Sequence, residues 1–321
     1  MSNSSEQTIS VIIPAYNAAG TIRATVDSVL AQTLSADEIL VMDDGSTDDT
    51  RTILESYGSR LKVFCQKNQG SDESRNVLCR KASGDLVTFI DSDDIWHPSY
   101  LEVQSRLAAE NPEAVGMFVG HFDFHSDDEV MWTAPIASEH PVTRVFSSRE
   151  FLNEYNRFPG NYYPSFCCVR RSALTQVGKE PFQCRISEDY YFFNRLLLIG
   201  AMVFHSATLG AYRRRPGSLS SKRLQLAKTT ISALEALQSE YRNTALEKDF
   251  EQLFALKRRS YAKILLHFNE TREARKQLKA TMLTGVKIAD TLRGLVILGS
   301  SYLPVKLRPD WLAKYPEWKS R

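Results

Sequence analysis

The sequence predicts an α/β protein, with a mostly parallel sheet flanked by helices and a C-terminal helical extension. Over the first hundred residues, short apolar runs alternate with amphipathic segments, which is typical of parallel strands joined by helical crossovers. Two acidic clusters, Asp43-Asp44 and Asp91 to Asp94, directly follow apolar runs. Beyond Gly217 the periodicity is helical throughout. We therefore place one domain at residues 1–217 and a basic helical region at residues 218–321.

The first βαβ unit follows from local pattern. Ile9 to Pro14 is a β-branched run with the length of a buried strand. Turn residues come next, and apolar positions at helical spacing from Ile22 to Gln32 predict a crossover helix. Ile39 to Met42 completes the unit as a second strand, and Thr47 or Asp48 is placed to cap the helix after it.

The remaining elements follow from the same two periodicities. Apolar runs with period two predict strands, and amphipathic runs that end at glycine or proline predict helices. The further predicted strands are 61–65, 86–90, 115–124, 166–169 and 202–212, and the further predicted helices are one around Arg75, 100–109, 151–155, 186–200 and three after Gly217. Because ligands of such sheets bind beyond the carboxyl ends of the strands, both acidic clusters lie where a site is expected.

Charge is distributed unequally along the chain. Residues 1–217 carry 20 Lys and Arg against 28 Asp and Glu, whereas residues 218–321 carry 20 against 10. A basic region of this kind indicates contact with lipid headgroups, a phosphorylated acceptor or an acidic partner, and the alternative is that its charges are simply solvated. The apolar stretch Gly294 to Val305 adds to the membrane interpretation.

The cysteine content, the N-terminal sequence and the length of the apolar runs indicate the cellular compartment. Five cysteines form an odd set without paired zinc spacing, which favours reduced thiols. The N-terminus lacks a signal-peptide pattern, and the apolar runs are shorter than a membrane span. We therefore expect a cytoplasmic protein, with peripheral contact at the inner face of the cell membrane left open.

Three carboxylates, Asp91, Asp93 and Asp94, leave one buried strand together. Clustered like charges raise one another's pKa unless a cation neutralises them. Carboxylate oxygens favour Mg²⁺ or Mn²⁺, and Mg²⁺ typically binds through one or two carboxylates together with phosphate oxygens of a substrate. The cluster therefore predicts a divalent cation and a diphosphate ligand.

Five sequence elements, in this order, resemble those of family 2 glycosyltransferases. They are Ile12 to Asn17, Asp43 to Ser46, Arg75-Asn76, Asp91 to Asp94 and Glu188-Asp189, spread over roughly residues 9 to 215. The resemblance implies a GT-A fold, Mg²⁺ or Mn²⁺, and inverting transfer of a sugar from a UDP- or dTDP-linked donor. The implied acceptor is a hydroxyl of a glycan or lipid-linked glycan, as in polysaccharide biosynthesis for the cell envelope, and no nucleic acid is expected as a partner.

The resemblance implies positions for the donor nucleotide. Pro14 and Tyr16 match residues that line the nucleotide pocket. Asp44 matches the residue that accepts a hydrogen bond from the base, and a carboxylate suits the imide N–H of uracil or thymine. Arg75 matches an arginine near the diphosphate, where its planar guanidinium complements phosphate oxygens. For the Asp43-Asp44 turn, simple helix capping is the alternative.

The resemblance also implies the metal and the catalytic base. Asp91 and Asp94 match metal-binding positions, with Asp94 the expected direct ligand and Asp93 expected near the sugar or ribose. Asp189 matches the general base that deprotonates the acceptor hydroxyl. Glu188 either holds a donor hydroxyl or raises the pKa of Asp189 by like charge. The alternative for Asp189 is a carboxylate that only stabilises a helix N-terminus.

Two departures from the family pattern occur near the phosphates. Many members carry Arg-x-His after the last core strand, whereas this chain has Arg213-Arg214-Arg215. A histidine role therefore does not carry over, and Arg213 becomes the candidate clamp for the diphosphate. Glu73 stands where a small residue is common.

Aromatic and histidine residues leave further interpretations open. Trp96 and Tyr163 are candidates for stacking on an acceptor or donor sugar, with simple packing as the alternative. His121, Asp123 and His125 share one strand face, which indicates either a metal site or a polar strand face. A non-catalytic sugar-nucleotide or carbohydrate-binding protein is the alternative function. A nicotinamide oxidoreductase is disfavoured because the first strand is not followed by Gly-x-Gly-x-x-Gly.

Overall fold

The computed structural model describes residues 7–130, 141–154, 163–185, 187–215, 223–282, 296–299 and 301–302. The chain divides into two compact units, one formed by residues 1–151 and 160–216 and the other by residues 152–159 and 217–321. The predicted boundary at Gly217 and half of the stretch Gly294 to Val305 lie outside the described residues. The predicted division at that residue therefore stays a prediction.

Nine strands of the described part form one sheet in the first unit. They are β1 (Ile9–Ala15), β2 (Glu38–Asp43), β3 (Lys62–Cys65), β4 (Leu86–Phe89), β5 (Ile95–Trp96), β6 (Ala114–Phe124), β7 (Thr143–Phe146), β8 (Cys167–Arg170) and β9 (Ala201–Arg213). Their order is β3-β2-β1-β4-β8-β6-β9-β5, with β7 paired to β9. The first four strands pair in parallel, as do β6 and β9, and antiparallel pairs enter at β8, β5 and β7.

Helices alternate with these strands and then continue alone. They are α1 (Ile22–Leu30), α2 (Thr50–Glu55), α3 (Ser71–Lys81), α4 (Tyr100–Glu110), α5 (Ser148–Glu154), α6 (Arg171–Val177), α7 (Glu188–Leu196), α8 (Arg223–Tyr241), α9 (Glu247–His267) and α10 (Thr271–Met282). Apolar residues of α1 and α4 join those of β1 and β2 in one buried cluster. The α/β fold class predicted from the periodicities is confirmed.

Three short elements escaped sequence-based prediction, namely β5, β7 and α6. β5 has 2 residues, β7 has 4 and α6 has 7. β5 is too short to show a period, three of the four residues of β7 are exposed so that no apolar run marks it, and α6 makes only about two turns. β5 matters for the site because it pairs with the end of β9 and so fixes the chain directly after the acidic cluster.

Pro14 determines where β1 and β4 separate. The N–H of Ile90 donates to the carbonyl of Ile12 at 3.0 Å, and the next β1 position facing β4 is Pro14. Proline has no N–H, so the ladder ends there, while β1 continues to pair with β2 as far as Asp43. The chain therefore leaves the sheet at Asp91, beside an opening between β1 and β4.

The second unit contains α8, α9 and α10 in its described part. Asn269 takes a left-handed conformation (φ 62°) directly after α9, and the N–H of Glu270 bonds to the carbonyl of Leu265 at 2.8 Å. This arrangement ends α9 and turns the chain into α10. Among the residues that the structure describes, none of the helices combines the length and the apolar character that crossing a membrane requires.

Candidate functional site

The acidic cluster forms a tight turn that helix α1 holds in place. The N–H of Asp94 donates to the carbonyl of Asp91 at 3.1 Å, which closes the turn. The hydroxyl of Thr21 donates to the carbonyl of Ser92, and that of Thr25 to the carbonyl of Asp94, both at 2.8 Å. These bonds fix the three carboxylates at the carboxyl end of β4.

The three carboxylates differ strongly in exposure. The side chains of Asp91 and Asp93 are 32% and 18% exposed, whereas Asp94 is completely buried. Oδ1 of Asp94 accepts the backbone N–H of Arg213 at 3.0 Å, and a hydrogen bond from the hydroxyl of Ser165 also acts on this carboxylate. Burial, and then the charges of Asp93 and Asp91, raise the pKa of Asp94 well above its usual value.

Exposure distinguishes the three carboxylates as candidate metal ligands. Asp94, the expected direct ligand, is completely buried, whereas Asp91 and Asp93 present oxygens toward solvent. The assignment of the metal to Asp91 and Asp94 stays a prediction, and the exposure of Asp93 makes it a further candidate ligand.

Arg75 gathers carboxylates from two distant parts of the chain. Its Nη1 donates to Oε1 of Glu188 at 3.1 Å, and its Nη2 pairs with Oδ1 of Asp91. The same Glu188 oxygen accepts the hydroxyl of Ser71 at 2.6 Å. Burial of the guanidinium acts to lower the pKa of Arg75. The charges of the carboxylates outweigh this effect, and the pKa of Arg75 is raised above its usual value. The predicted contact of Arg75 with a diphosphate stays a prediction, because in this structure its guanidinium bonds to protein carboxylates.

We expect Arg75→Met to lower the free energy of unfolding by about 3–5 kcal/mol, because it leaves two partly buried carboxylates without their shared cation. Arg80→Met is the matched control, since Arg80 lies on the same helix, is 42% exposed and pairs with Glu73. We expect Arg80→Met to lower the free energy of unfolding by less than about 1 kcal/mol. Urea unfolding of both variants measures the difference, and equal losses would show that the buried pairs do not hold the site together.

Asp189 lies in the first turn of α7, next to Glu188, and is partly exposed. Its Oδ1 accepts the N–H of Tyr190 at 2.7 Å. Burial, and then the charge of Glu188, raise the pKa of Asp189 to about 7. The charge of Glu188 thus acts on the pKa of its neighbour, whereas a contact of Glu188 with a donor hydroxyl and the role of Asp189 as general base stay predictions.

The turn Asp43 to Ser46 lies at the carboxyl end of β2. Oδ1 of Asp43 accepts the N–H of Ser46 at 3.0 Å. Gly45 has φ 75°, and a Cβ there would lie 2.9 Å from the backbone nitrogen of Asn68, so this position requires glycine. The turn and the loop after β3 are thus packed backbone to backbone.

Asp44 holds the loop that leads into α3. Its Oδ1 accepts the side-chain amide of Gln66 at 2.7 Å and the N–H of Gln69 at 2.9 Å, and its Oδ2 accepts the N–H of Gly70 at 2.8 Å. Asp44 is only 3% exposed, so its carboxylate is enclosed by the protein. The sequence predicts a turn at residues 68–70 but not its anchoring by Asp44. The contact of Asp44 with a nucleotide base stays a prediction.

Pro14 and Tyr16 lie on either side of the end of β1. Pro14 is buried within the strand, whereas Tyr16 is 50% exposed just beyond it. The neighbouring N–H of Asn17 donates to the hydroxyl of Ser46 at 3.0 Å, which holds this segment beside the Asp44 turn. Tyr16 is therefore the accessible member of the predicted nucleotide-lining pair.

Arg213, the predicted diphosphate clamp, bonds to groups within the protein, and its contact with a diphosphate stays a prediction. It is 8% exposed, its Nε donates to the carbonyl of Asp93 at 2.7 Å, and its Nη2 pairs with Asp127. The guanidinium lies 4.4 Å from the ring centre of Phe124. With these contacts, Arg213 supports the acidic turn.

Arg215 is the arginine that meets the exposed part of the cluster. Its Nη2 pairs with Oδ2 of Asp93, and its side chain is 48% exposed. Arg214 points to the other side and pairs with Asp123 at 2.9 Å. Side chains alternate between the two faces of a strand, so positions 213 and 215 share a face at its end. This alternation is the sequence signal that would have identified Arg215.

Trp96 belongs to the core, which corrects its predicted role in sugar stacking. It is 1% exposed, its indole N–H donates to the carbonyl of Ser165 at 2.6 Å, and its ring stacks on Tyr100 at 4.0 Å. Both ring faces are enclosed by protein, so a sugar has no access to them.

Tyr163 lies in an aromatic cluster. Its ring centre is 4.3 Å from that of Tyr212 and 4.9 Å from that of His121. Burial raises the pKa of the Tyr163 phenol above its usual value, although the charge of Arg214 acts in the opposite direction. The predicted stacking of Tyr163 on a sugar stays a prediction.

The strand face of His121, Asp123 and His125 is not a metal site. Burial lowers the pKa of His121 to about 4, its ring stacks on Phe166, and Asp123 is paired with Arg214. In the described ranges, no group of three or more His, Cys, Asp and Glu side chains is spaced to hold a metal ion. The polar-face interpretation therefore stands.

The acidic turn nevertheless suits a hard divalent cation. Two partly exposed carboxylates, Asp91 and Asp93, supply oxygen atoms of the kind that such a cation binds. Mg²⁺ typically binds through one or two carboxylates plus substrate phosphates, so a preformed cage of three ligands is not required. Arg215 supplies the positive charge on Asp93 in the free protein.

Comparison with known proteins adds family membership to this geometry. The sequence profile described as Glycosyl transferase family 2 matches residues 10–178. An uncharacterised glycosyltransferase of Nostoc is 42% identical over 238 residues, which cover 71% of this chain and 68% of the relative. A UDP-Glc:alpha-D-GlcNAc-diphosphoundecaprenol beta-1,3-glucosyltransferase of Escherichia coli is 37% identical over 125 residues, which cover 38% of this chain and 49% of the relative. The chain thus spans about half the length of that relative.

Solved structures support the same fold at low sequence identity. TarS 1-349 of S. aureus, in complex with UDP-GlcNAc, matches with a TM-score of 0.61 at 19% identity and covers 95% of this chain and 82% of that chain. A mannosyltransferase of Pyrobaculum calidifontis, in complex with GDP-Man and Mn²⁺, matches with a TM-score of 0.54 at 17% identity and covers 96% of this chain and 84% of that chain. Likeness at this identity shows the shared fold.

Proposed function

The chain belongs to glycosyl transferase family 2, and from that premise we propose that it transfers a sugar, with inversion, from a nucleoside diphosphate sugar to a hydroxyl of a glycan or lipid-linked glycan. The observation that carries the proposal is the cluster around Arg75, which joins Asp91 of the acidic turn to Glu188 and hence to Asp189. Carboxylates separated by about a hundred residues meet there for a reaction that needs both a cation site and a base.

Asp189 is the proposed general base. With a pKa raised to about 7, its carboxylate can take the proton of an acceptor hydroxyl as that hydroxyl attacks the anomeric carbon. Burial and Glu188 together produce this basicity, so Glu188 acts through Asp189. Tyr163 is the proposed contact for the acceptor sugar, because its ring belongs to an aromatic cluster of the kind on which sugar rings stack.

Asp93 and Asp91 would hold Mg²⁺ or Mn²⁺, and the ion when bound would neutralise the departing diphosphate. The Mn²⁺ bound to the Pyrobaculum mannosyltransferase supports this choice of metal. Arg215 pairs with Asp93. Among the described arginines that bond to the acidic turn, Arg215 is the exposed one. Metal dependence is therefore part of the proposal.

Asp44 and Tyr16 are proposed to hold the nucleoside, with Pro14 shaping the strand end beneath them. The UDP in the name of the Escherichia coli relative and the UDP-GlcNAc bound to TarS favour a uridine donor. Because the carboxylate of Asp44 also anchors residues 66–70, donor binding and the conformation of that loop should be coupled. The acceptor of the Escherichia coli relative is named as a diphosphoundecaprenol-linked sugar, which supports a lipid-linked acceptor here.

A thermal-shift and turnover screen tests this function. We expect UDP-sugars with Mn²⁺ to raise the Tm, because a ligand that binds only the folded state stabilises it by mass action. UDP-sugar without metal should give a smaller shift, and release of UDP should be detectable only with metal. The control is the same sugar as its 1-phosphate. Binding without any turnover across common donors and acceptors would support the alternative, a non-catalytic sugar-nucleotide or carbohydrate-binding protein.

A further inference from the structure

Helix α10 in the second unit presents a continuous basic face. Arg272, Lys276 and Lys279 are exposed and recur at i, i+4 and i+7, which places them along one side of the helix. The opposite side is buried through Ala274 and Leu278, both 0% exposed. The helix is therefore anchored by its apolar side, and its cations face outward.

A fourth cation and an aromatic ring extend this face. The guanidinium of Arg275 lies 3.8 Å from the ring centre of Tyr302, and its Nη2 donates to the carbonyl of Ser301 at 2.9 Å. Tyr302 is itself 59% exposed. An open groove of about 690 Å³ runs between them and is lined by Thr271, Arg272, Arg275, Lys276, Lys279 and Tyr302. We call these four cations with Tyr302 the basic face of α10.

Acidic residues offset little of this charge. Glu273 is the one acidic residue within α10, and it lies 3.7 Å from Lys276, whose side chain is 75% exposed. Glu273 also accepts the side-chain amide of Gln277 at 2.8 Å. Glu270 lines the neighbouring end of the groove. Against these carboxylates stand four cations on one surface, within a region that carries 20 Lys and Arg against 10 Asp and Glu.

We propose that the basic face of α10 is a docking surface for an anionic phospholipid bilayer. Each Lys or Arg near such a surface contributes about 1 kcal/mol, and tyrosine favours the boundary between headgroups and acyl chains. The groove is open and three of its cations, Arg272, Lys276 and Lys279, are exposed, which suits a planar array of headgroups better than one enclosed small anion. Phe268, 52% exposed just before α10, adds apolar surface on the same unit. The proposal concerns attachment and does not depend on the chemistry at Asp189.

Vesicle flotation of the full chain tests the proposal. The probe is a phosphatidylcholine vesicle with about one third phosphatidylglycerol, compared with pure phosphatidylcholine. We expect binding only to the anionic vesicles, and a loss of about 100-fold in the partition constant for the triple variant Arg272→Gln, Lys276→Gln and Lys279→Gln, at about 1 kcal/mol per cation. The matched control is Lys228→Gln, Arg242→Gln and Lys248→Gln, which removes three exposed cations of the same unit outside α10. Circular dichroism verifies that both variants are folded.

The outcomes separate the alternatives. Binding that about 0.5 M NaCl weakens, and that only the α10 variant loses, supports the proposal. Equal losses in both triple variants would overturn it in favour of diffuse charge, and no vesicle binding by the full chain would overturn it outright. Tyr302→Ser should weaken vesicle binding several-fold, whereas a site for soluble pyrophosphate would retain its affinity. UDP-sugar turnover measured without vesicles reports separately on the proposed function, so either proposal can fail alone.

Discussion

Asp189→Asn is expected to lower kcat by about 10³-fold while changing the Kd of the donor less than about threefold. The amide has nearly the same shape as the carboxylate but cannot accept the proton of the acceptor hydroxyl. Single-turnover transfer and donor titration, done on the same preparation, measure the two effects. Asp85→Asn is the control, since Asp85 bonds to Thr8 just before β4, at the opposite end of the strand from the acidic turn.

The same carboxylate determines the expected pH dependence. With the pKa of Asp189 at about 7, the basic form should increase about tenfold between pH 6 and pH 8, and kcat should rise with it. Glu188 and Asp91 favour the protonated form, Arg75 opposes it, and Tyr163 lies nearby. A bound divalent cation would shift the rise to lower pH. A flat profile, or a variant that retains most of the kcat, would contradict the assignment.

Stability gives an independent check that the variant is folded. Because the pKa of Asp189 is raised in the folded state, its contribution is favourable at low pH and is lost as the pH rises toward 7. The amide that Asp189→Asn introduces does not ionise, so the variant does not lose stability in this way as the pH rises. We therefore expect the variant to have a higher Tm than the parent at pH 8 and little difference at pH 4, so that low activity coincides with undiminished stability.

The fold and the position of the two acidic clusters at strand ends were predictable because both depend on local pattern. Apolar runs of four to seven residues and amphipathic helices identify β1 to β4 and their crossovers, and strand ends locate the two acidic clusters. What each acidic residue contacts was not predictable. The bond from Asp94 to Arg213 spans 119 residues, and that from Trp96 to Ser165 spans 69. Burial of one aspartate and exposure of its neighbour follow from where β9 and the segment before β8 pack.

The contacts of the arginines were also not predictable from the sequence, because their partners lie far along the chain. Arg75 and Arg213 were both expected at a diphosphate, yet each is enclosed and paired with groups that sit about a hundred residues away. A guanidinium satisfies protein carboxylates and phosphates equally well, so its residue type alone does not distinguish support from recognition. Exposure distinguishes them here, and it selects Arg215, which is 48% exposed.

The division between Asp93 and Asp94 gives the second large expected effect. We expect Asp93→Asn to lower Mn²⁺-stimulated turnover by about 10²–10³-fold, because the ion supplies several kcal/mol of charge stabilisation and loses an exposed ligand. Asp94→Asn should retain the Mn²⁺ dependence and lose less than about tenfold in turnover. Its side chain is completely buried, and Oδ1 can still accept the N–H of Arg213. Turnover as a function of Mn²⁺ concentration separates the two variants.

Arg215 complicates Asp93→Asn, since the substitution also breaks the ion pair between them. Arg215→Gln is therefore measured alongside. If Asp93 acts by binding the ion, Arg215→Gln should leave the maximal Mn²⁺ stimulation in place and lower the Mn²⁺ concentration needed for it, because a competing cation has been removed. If instead Arg215→Gln reproduces the loss seen in Asp93→Asn, the pair itself is what the site requires. Loss of Mn²⁺ dependence in Asp94→Asn alone would return the ligand role to the buried residue and would require the acidic turn to open when the donor binds.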